Sequence, residues 1–167
     1  MEKAAAKMKG NYLNMVQGYP TNSLRALTGV PVQNYNFENM NDQELWSIIS
    51  QGKSNDYLMI VGTSGSDDST YNSCGVTERH ALTMMAAFTL TYNGETFELY
   101  MIRNPRVETN YKMDWSHSDE RWTAATIAQV PLGVDPTTSH EKGIFIVPYD
   151  LLTTCFSSLA VGYNLGA

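Results

Sequence analysis

Residues 101–122 read MIRNPRVETNYKMDWSHSDERW. An apolar strand end runs into an Arg-Asn-Pro corner, and two tryptophans then follow among polar residues. The asparagine of the corner, Asn104, needs a partner for its side chain from elsewhere in the chain. The pairing of the strand that ends at Ile102 decides which residue lies beside it.

Two β-like segments precede the corner and are joined by Asn93-Gly94, a strong short-range hairpin signal. The first segment covers residues 79–91 and the second covers residues 96–102. Antiparallel pairing brings the start of the first segment beside the end of the second. The sequence therefore predicts that His80 and Asn104 are neighbours.

Helices and strands are mixed along the rest of the chain without regular βαβ alternation, which predicts the α+β class. Asn41 and Glu44 form a capping-box pair at the start of one helix, which Gly52 is expected to end. The polar residues 62–75 form a loop, in which Asp67 and Asp68 are interpreted as a solvated tip. Helices are predicted over residues 2–9, 22–27, 41–52, 118–128 and 148–156, and further strands over residues 31–37, 56–61, 143–147 and 159–165.

The bulk composition indicates a globular domain, because 43% of the 167 residues are hydrophobic and only 17% are charged. A net charge of −6 without a basic run argues against nucleic-acid binding. No apolar run approaches the roughly 18 residues of a membrane span, and residues 1–10 lack the apolar segment of a signal peptide. The chain has no glycosylation sequon, and its two cysteines lie far apart in sequence; both observations favour an intracellular compartment. Cys155 is expected in the core and Cys74 as a loop bystander.

A histidine beside an asparagine has a known catalytic use. The asparagine oxygen accepts a hydrogen bond from one ring nitrogen and orients the ring, while the other nitrogen serves a cysteine thiol as base. This is the Cys-His-Asn arrangement of papain-like proteases, and it makes His80 and Asn104 the candidate catalytic residues. On hairpin geometry alone, a surface histidine and a turn asparagine remain the alternative interpretation.

The chain resembles the second, His/Asn-bearing lobe of a calpain-type protease core, which is papain-like. The stretch 79–82, Arg-His-Ala-Leu, stands where that family has Gly-His-Ala-Tyr with its catalytic histidine. The stretch 101–122 matches the family's Arg-Asn-Pro-Trp-Gly segment and its later tryptophans without a gap. Three further segments resemble elements of the family. MEKAAAKMKGNY resembles a helix, LRALTGV a turn, and SHEKGIFIVPYDLLTTCF the final strand and the helix after it. The matching residues around the corner are Arg103, Asn104, Pro105, Trp115, Ser116 and Trp122.

This resemblance implies a twisted antiparallel sheet with flanking helices. Residues 1–40 are then the end of the first protease lobe and the connection, and residues 41–167 are the second lobe. Trp115 and Trp122 are expected to be core and lobe-packing residues. The face around His80, Asn104 and Trp115 is expected to be partly apolar and to need a cover.

The sequence departs from the family pattern at the nucleophile, at the cover and at the calcium ligands. Nothing matches the family's Gly-Asp-Cys-Trp segment, so the nucleophilic cysteine is missing from these residues. Arg106 stands where a tryptophan covers the His–Asn hydrogen bond, and Val107 replaces a glycine. Because calcium needs several hard oxygen ligands, neither a calcium site nor another cofactor is expected. The positions of the calcium carboxylates hold Asn110, His117, Lys142 and Ile144, with Glu141 nearby.

These joint losses predict a non-catalytic, pseudoprotease domain that acts as a protein-interaction or scaffold module, in a cytoskeletal or other large assembly. The alternative is the His/Asn half of an active calpain-like endopeptidase, whose cysteine lies on a missing segment or partner chain. Protein partners are expected under both hypotheses, including a chain with the first lobe. A third class is a small-molecule or metal binder built on the polar loop, for example a zinc site from Cys74, His80 and His117. His117 and His140 are otherwise expected to face solvent.

Overall fold

The computed structural model of the chain describes residues 2–15, 18–107 and 109–164. Its α-helices in this part are α1 Glu2–Lys9, α2 Pro20–Thr28, α3 Asp42–Ser54, α4 Ala124–Ile127, α5 Pro136–Ser139 and α6 Leu152–Cys155. Its strands are β1 Val32–Asn36, β2 Leu58–Gly62, β3 Ala81–Tyr92, β4 Glu95–Arg103, β5 Ile144–Pro148 and β6 Ser158–Gly162. Among the described helices, none is long and apolar enough to pass through a bilayer.

The strands of the described residues form one six-stranded sheet in the order β1-β6-β2-β3-β4-β5, and every neighbouring pair is antiparallel. The hairpin of β3 and β4 is its longest pair and turns at Asn93-Gly94, as predicted. A β-bulge between Met84 and Ala86 shifts the register within this hairpin. The predicted α+β class, with an antiparallel sheet and flanking helices, is confirmed. The division of the chain at residues 40 and 41 stays a prediction.

Residues 99–102 of β4 are buried, and because successive side chains of a strand point to opposite sides, they contribute to a core on each face of the sheet. Tyr100 and Ile102 belong to the hydrophobic cluster that α3 covers with Leu45 and Ile49. A second hydrophobic cluster joins Leu99 and Met101 of β4 to residues of β3 and β5, the two tryptophans and Val130; its buried members are Ala86, Leu90, Leu99, Met101, Trp115, Trp122, Val130 and Ile146. The hairpin that carries His80 and Asn104 at its ends is therefore fixed between two cores.

Helix α3 begins with the predicted capping box, in which Asn41 Oδ1 accepts from the Glu44 N–H at 2.9 Å and Glu44 Oε2 accepts from the Asn41 N–H at 3.1 Å. The predicted end at Gly52 is wrong, because the helix continues to Ser54. Gly52 is buried in the last part of the helix, where a Cβ would lie 2.6 Å from the sulfur of Met59. Its small size serves close packing against β2, so it does not end the helix.

The predicted helix over residues 118–128 is also wrong in most of its length, because only Ala124–Ile127 is α-helical. The Asp119 carboxylate accepts from the N–H groups of Trp115 at 2.7 Å and Arg121 at 3.0 Å. Such side-chain bonds to nearby backbone compete with helix formation. Thr123 then caps the short α4.

The C-terminal elements follow the prediction with shorter bounds. Residues 148–156 were predicted as one helix, and they form a 3-10 turn, Tyr149–Leu151, followed by α6. Strand β6 is Ser158–Gly162, so it begins one residue before the predicted range 159–165 and ends earlier, and residue 165 lies outside the described residues.

Cys74 and Cys155 form a disulfide with a Cα–Cα distance of 5.6 Å, and both residues are buried. The expectation of two separate cysteines, with Cys74 as a loop bystander, is therefore wrong. Asn72 strengthens the same junction, because its Nδ2 donates to the Cys155 carbonyl at 2.9 Å and its Oδ1 accepts from the Cys74 N–H at 3.0 Å. The polar loop before His80 is thus tied to α6 and the core.

Candidate active site

His80 and Asn104 lie at the open end of the β3–β4 hairpin, one residue before β3 and one residue after β4. Thr83 pairs with Arg103 in the sheet, so the chain segments on either side of this pair stay close. The His80 Nε2 atom lies 3.0 Å from Asn104 Oδ1, which is hydrogen-bonding distance. The prediction that the two residues are neighbours is confirmed.

The backbone of Arg106 defines which ring nitrogen of His80 carries the proton. The Arg106 N–H donates to Asn104 Oδ1 at 3.0 Å, and a backbone N–H can only donate. The Asn104 atom that faces His80 is therefore an oxygen, so His80 Nε2 must be the donor toward it. In the neutral imidazole the lone pair is then on Nδ1, which makes Nδ1 the basic atom of the ring.

The backbone of His80 is held by Thr63, a buried residue that follows β2. The His80 N–H donates to Thr63 Oγ1 at 3.0 Å, and the Thr63 N–H donates to the His80 carbonyl at 3.0 Å. Thr63 Oγ1 itself donates to the Thr77 carbonyl at 2.7 Å. Arg79 precedes His80 in the left-handed region, with φ of 45°, which turns the chain into β3.

The Asn104 side of the pair is held by backbone contacts with Gly143. Asn104 is 2% exposed, and its N–H donates to the Gly143 carbonyl at 2.8 Å. A Cβ on Gly143 would collide with the Asn104 carbonyl and would lie 2.9 Å from the Val107 Cα. The Val107 N–H donates to the Asn104 carbonyl at 3.1 Å and closes a tight turn. The amide that orients the imidazole is therefore itself oriented by packed backbone.

The surroundings of His80 lower its pKa below the ordinary value. Burial has the largest effect because it disfavours the charged ring. The Asn104 hydrogen bond raises the pKa, the Arg106 charge lowers it and the Asp68 charge raises it. A lowered pKa keeps the ring neutral near neutral pH, which is the form in which Nδ1 accepts a proton.

His80 lines a cleft of about 880 Å³. Part of its lining comes from the N-terminal region, through Lys9 and the residues around Pro20, and part from residues 62–63, 66–68 and 79–81. Arg106 and Ser158 complete the lining. A volume in this range accommodates several side chains of a bound peptide or a small molecule.

Arg106 lines this cleft and forms an ion pair with Asp68, which also lines it. Its Nη1 also donates to the Asp68 carbonyl at 3.1 Å. Asp68 is exposed, as the interpretation as a solvated loop tip expects, and it pairs with Arg106 in addition. Asp67, next to it, accepts a hydrogen bond from the Ser69 N–H at 2.8 Å and shapes the loop locally.

Trp115 and Trp122 belong to the core, as predicted, and their ring centroids lie 4.8 Å apart. Trp115 is 1% exposed, so the expectation that it contributes to an uncovered apolar face is wrong. The Arg121 guanidinium lies 4.3 Å from the centroid of the Trp115 ring. Arg121 also pairs with Asp119, and this pairing lowers the pKa of Asp119 to about 2.

The hypothesis of a zinc site is contradicted at its first ligand, because Cys74 is part of the disulfide. His117 is exposed as expected, but His140 is half buried and the two rings stack with centroids 4.1 Å apart. In residues 2–15, 18–107 and 109–164, no group of three or more His, Cys, Asp or Glu side chains is arranged to hold a metal ion. The loss of the calcium site stays a prediction.

Sequence reasoning missed two parts of this site. Thr63 gave no signal, because a threonine after a strand is common and only the register of β2 and β3 places it at the His80 backbone. The disulfide had a signal in the count of two cysteines, which matches a single pair. The pairing could not be inferred from the sequence, because the two cysteines are 81 residues apart and only the fold brings Cys74 to α6.

Comparison with known proteins agrees with this geometry. Residues 1–163 match the model of the calpain family cysteine proteases. This chain belongs to the calpain family. It is 29% identical to human calpain-14 over 122 residues, which are 73% of this chain and 17% of that protein. It is 25% identical to the chicken calpain-2 catalytic subunit over 170 residues, covering 96% of this chain and 23% of that protein.

A plant relative, the calpain-type cysteine protease DEK1 of Zea mays, is 27% identical over 130 residues. These residues are 74% of this chain and 6% of the maize protein. The chain thus spans less than a quarter of the length of each of these curated relatives. The relatives contain much more than the lobe with the His80–Asn104 pair.

Proposed function

We propose that this chain supplies the His/Asn half of a calpain-type cysteine protease active centre. The observation that carries the proposal is the hydrogen bond from His80 Nε2 to a buried Asn104 whose oxygen is fixed by the Arg106 N–H. A cysteine thiol from a segment or chain outside residues 1–167 completes the centre. This part of the proposal is consistent with the relatives, in which more than three quarters of the length lies outside the region matched by this chain.

In this proposal His80 acts as the base. Its Nδ1 accepts the proton of the incoming thiol, and the resulting thiolate attacks the carbonyl carbon of a peptide in the cleft. The imidazolium then donates the proton to the leaving amine, and water releases the acyl group from the sulfur in a second step. Asn104 keeps the ring in the required orientation through both steps.

The test is peptide hydrolysis by the native polypeptide that contains residues 1–167, together with the chains that copurify with it. We expect His80→Ala to lower kcat/KM by about 10²-fold or more, since a positioned general base contributes about that much. His117→Ala is the matched control, because this exposed histidine lies outside the cleft. Hydrolysis that survives in the His80 variant contradicts the proposed role of the residue.

A second candidate function is a non-catalytic interaction or scaffold module. The observation that favours it is the Arg106–Asp68 ion pair, which puts charge in the lining of the cleft where the resemblance implies an apolar cover. Intact mass of the native polypeptide and of its copurifying chains separates the two candidates. A Gly-Asp-Cys-Trp-type segment in either supports the protease half, and its absence from both supports the pseudoprotease module.

An intracellular location, cytoplasmic or cytoskeletal, belongs to this second candidate. The thiol argument for a reducing compartment no longer supports it, because Cys74 and Cys155 are bonded to each other and such bonds persist mainly in oxidising compartments. Cell fractionation with a thiol-blocking reagent tests the location and the state of the disulfide together. A fully reduced pair in the cytosolic fraction favours the intracellular assignment.

A further inference from the structure

A continuous set of contacts leads from Asp68 to His80 without a direct bond between them. The Asp68 carboxylate pairs with the Arg106 guanidinium, and the Asp68 carbonyl accepts from Arg106 Nη1 at 3.1 Å. The Arg106 N–H donates to Asn104 Oδ1 at 3.0 Å, and this same oxygen accepts from His80 Nε2 at 3.0 Å. One residue, Arg106, therefore contacts Asp68 with its side chain and the His–Asn pair with its backbone.

The side-chain contacts of Arg106 connect two segments that are far apart in sequence. Asp68 belongs to the loop between β2 and β3, which leads to His80, and Arg106 belongs to the turn after β4, which begins at Asn104. The turn is otherwise held near Asn104 by the Val107 N–H bond to the Asn104 carbonyl. The ion pair adds a link between this turn and the loop that leads to His80, and both of its members line the cleft.

We propose that Asp68 is a positioning residue for His80 and Asn104. Acting through Arg106, it holds the turn 105–107 over the His–Asn hydrogen bond and neutralises a positive charge beside the imidazole. The ion pair thereby keeps a segment of chain beside the His80–Asn104 hydrogen bond, a role that an apolar side chain serves when it shields such a bond from water. The proposal rests on the proposed function only where it takes His80 to be a catalytic base. The contacts between Asp68, Arg106, Asn104 and His80 exist without a cysteine thiol.

Other charged groups face the same cleft and set the background for this effect. Lys9, Asp67 and Arg79 line it together with Asp68 and Arg106. Both members of the ion pair are half exposed, so water and salt weaken their interaction. The change in the His80 pKa when the ion pair is broken is therefore expected to be modest, and it should be greatest at low ionic strength.

The test is an NMR titration of the His80 ring in the 167-residue chain at low salt, with the ring signal assigned by its loss in His80→Gln. We expect Asp68→Asn to lower the pKa of His80, because the Arg106 charge is then no longer neutralised. Arg106→Gln is expected to raise the pKa, because the positive charge is removed and Asp68 is left. Asp68→Glu restores the carboxylate and is expected to return the pKa toward that of the unchanged chain.

Asp67→Asn is the matched control, since it removes the same charge one residue away but not the contact with Arg106. Opposite shifts show that the charges of the ion pair act on the imidazole, whereas loosening of the turn 105–107, which both variants cause, shifts the pKa in the same direction in both. A His80 pKa that stays the same in Asp68→Asn and Arg106→Gln overturns the proposal, and a shift in the same direction in both contradicts the neutralisation of the Arg106 charge. If Asp68→Asn does not fold, Arg106→Gln alone decides, and an unchanged pKa there overturns it.

The outcome is independent of the protease assay. Opposite pKa shifts without any peptide hydrolysis would leave the positioning role standing and contradict only the catalytic use of His80. Hydrolysis that depends on His80, with no pKa shift in either variant, would support the catalytic use and remove Asp68 from it.

Discussion

The two segments that carry His80 and Asn104 are held in different ways. The His80 segment, residues 63–80, is a long polar loop that is fixed by a covalent bond at Cys74 and by the Thr63 hydroxyl. The Asn104 segment, residues 104–107, is a short turn that packs its backbone directly on Gly143. The long segment depends on a distant tether, whereas the short one depends on the absence of a side chain beside it.

This difference shows that the two residues of one hydrogen bond can be held in place by different physical means, a covalent cross-link for His80 and steric fit for Asn104. Closing a long loop costs chain entropy, so a cross-link there removes disorder that local contacts cannot. A four-residue turn has little entropy to lose, and its geometry is decided by steric fit. The predictions below break one support at a time, beginning with the larger effect.

Breaking the tether is expected to have the largest effect. The disulfide closes a separation of 81 residues, for which loop-closure entropy predicts a loss of about 4 kcal/mol in the free energy of unfolding when it is removed. We expect the double variant Cys74→Ser/Cys155→Ser to show this loss in urea unfolding. Reductant should destabilise the unchanged chain by a similar amount and leave the double variant unaffected; equal stability with and without the bond would contradict the tether.

The support of the Asn104 segment is tested by Gly143→Ala. The added Cβ meets the Asn104 carbonyl and the Val107 Cα, and Gly143 has φ of 75°. Strain and overpacking together predict a loss of about 3 kcal/mol. Gly133→Ala is the control, because Gly133 has φ of 65° and nothing lies within 4 Å of its Cβ position. The control should lose only about 1 kcal/mol, and an equal loss in both variants would show that the contact with Asn104 is unimportant.

Val107→Gly sharpens the comparison, because here the expected sign is reversed. Val107 is a β-branched residue in the left-handed region, with φ of 70°, and its side chain is partly exposed. Relief of this strain, less the entropy that glycine gains in the unfolded chain, predicts a stability increase of about 0.5 kcal/mol. Thermal unfolding measures it. A decrease would mean that the valine side chain contributes packing that outweighs the strain.

The smallest effect is the pH dependence that His80 contributes. Burial lowers its pKa, so the unfolded chain binds a proton more readily than the folded chain. The contribution of neutral His80 to the free energy of unfolding is therefore fully present above its pKa in the unfolded chain, which is about 6.5. It is lost as the pH falls through the lower pKa of His80 in the folded chain. Urea unfolding at pH 7.5 and at pH 5 should show a stability loss that His80→Gln reduces. An equal loss in that variant would assign the dependence to other groups.

The hairpin was predictable because its signals are local. Asn93-Gly94 fixes the turn, and the register then places His80 beside Asn104. The exact cover of the pair was not predictable, because Asp68 and Arg106 are 38 residues apart and no local pattern joins them. The helix expected over residues 118–128 failed for a similar reason, since Asp119 uses its carboxylate on neighbouring N–H groups instead of capping a helix.

The strand order has a consequence for how the chain assembles during synthesis. β6 lies between β1 and β2 in the sheet, although it is made after both. On the ribosome, β1 therefore emerges without a strand partner and β2 with one edge that only β6 can pair, and both must wait for residues 158–162. The β3–β4 hairpin has no such delay, so His80 and Asn104 can meet while the half of the sheet that carries β1 is still incomplete.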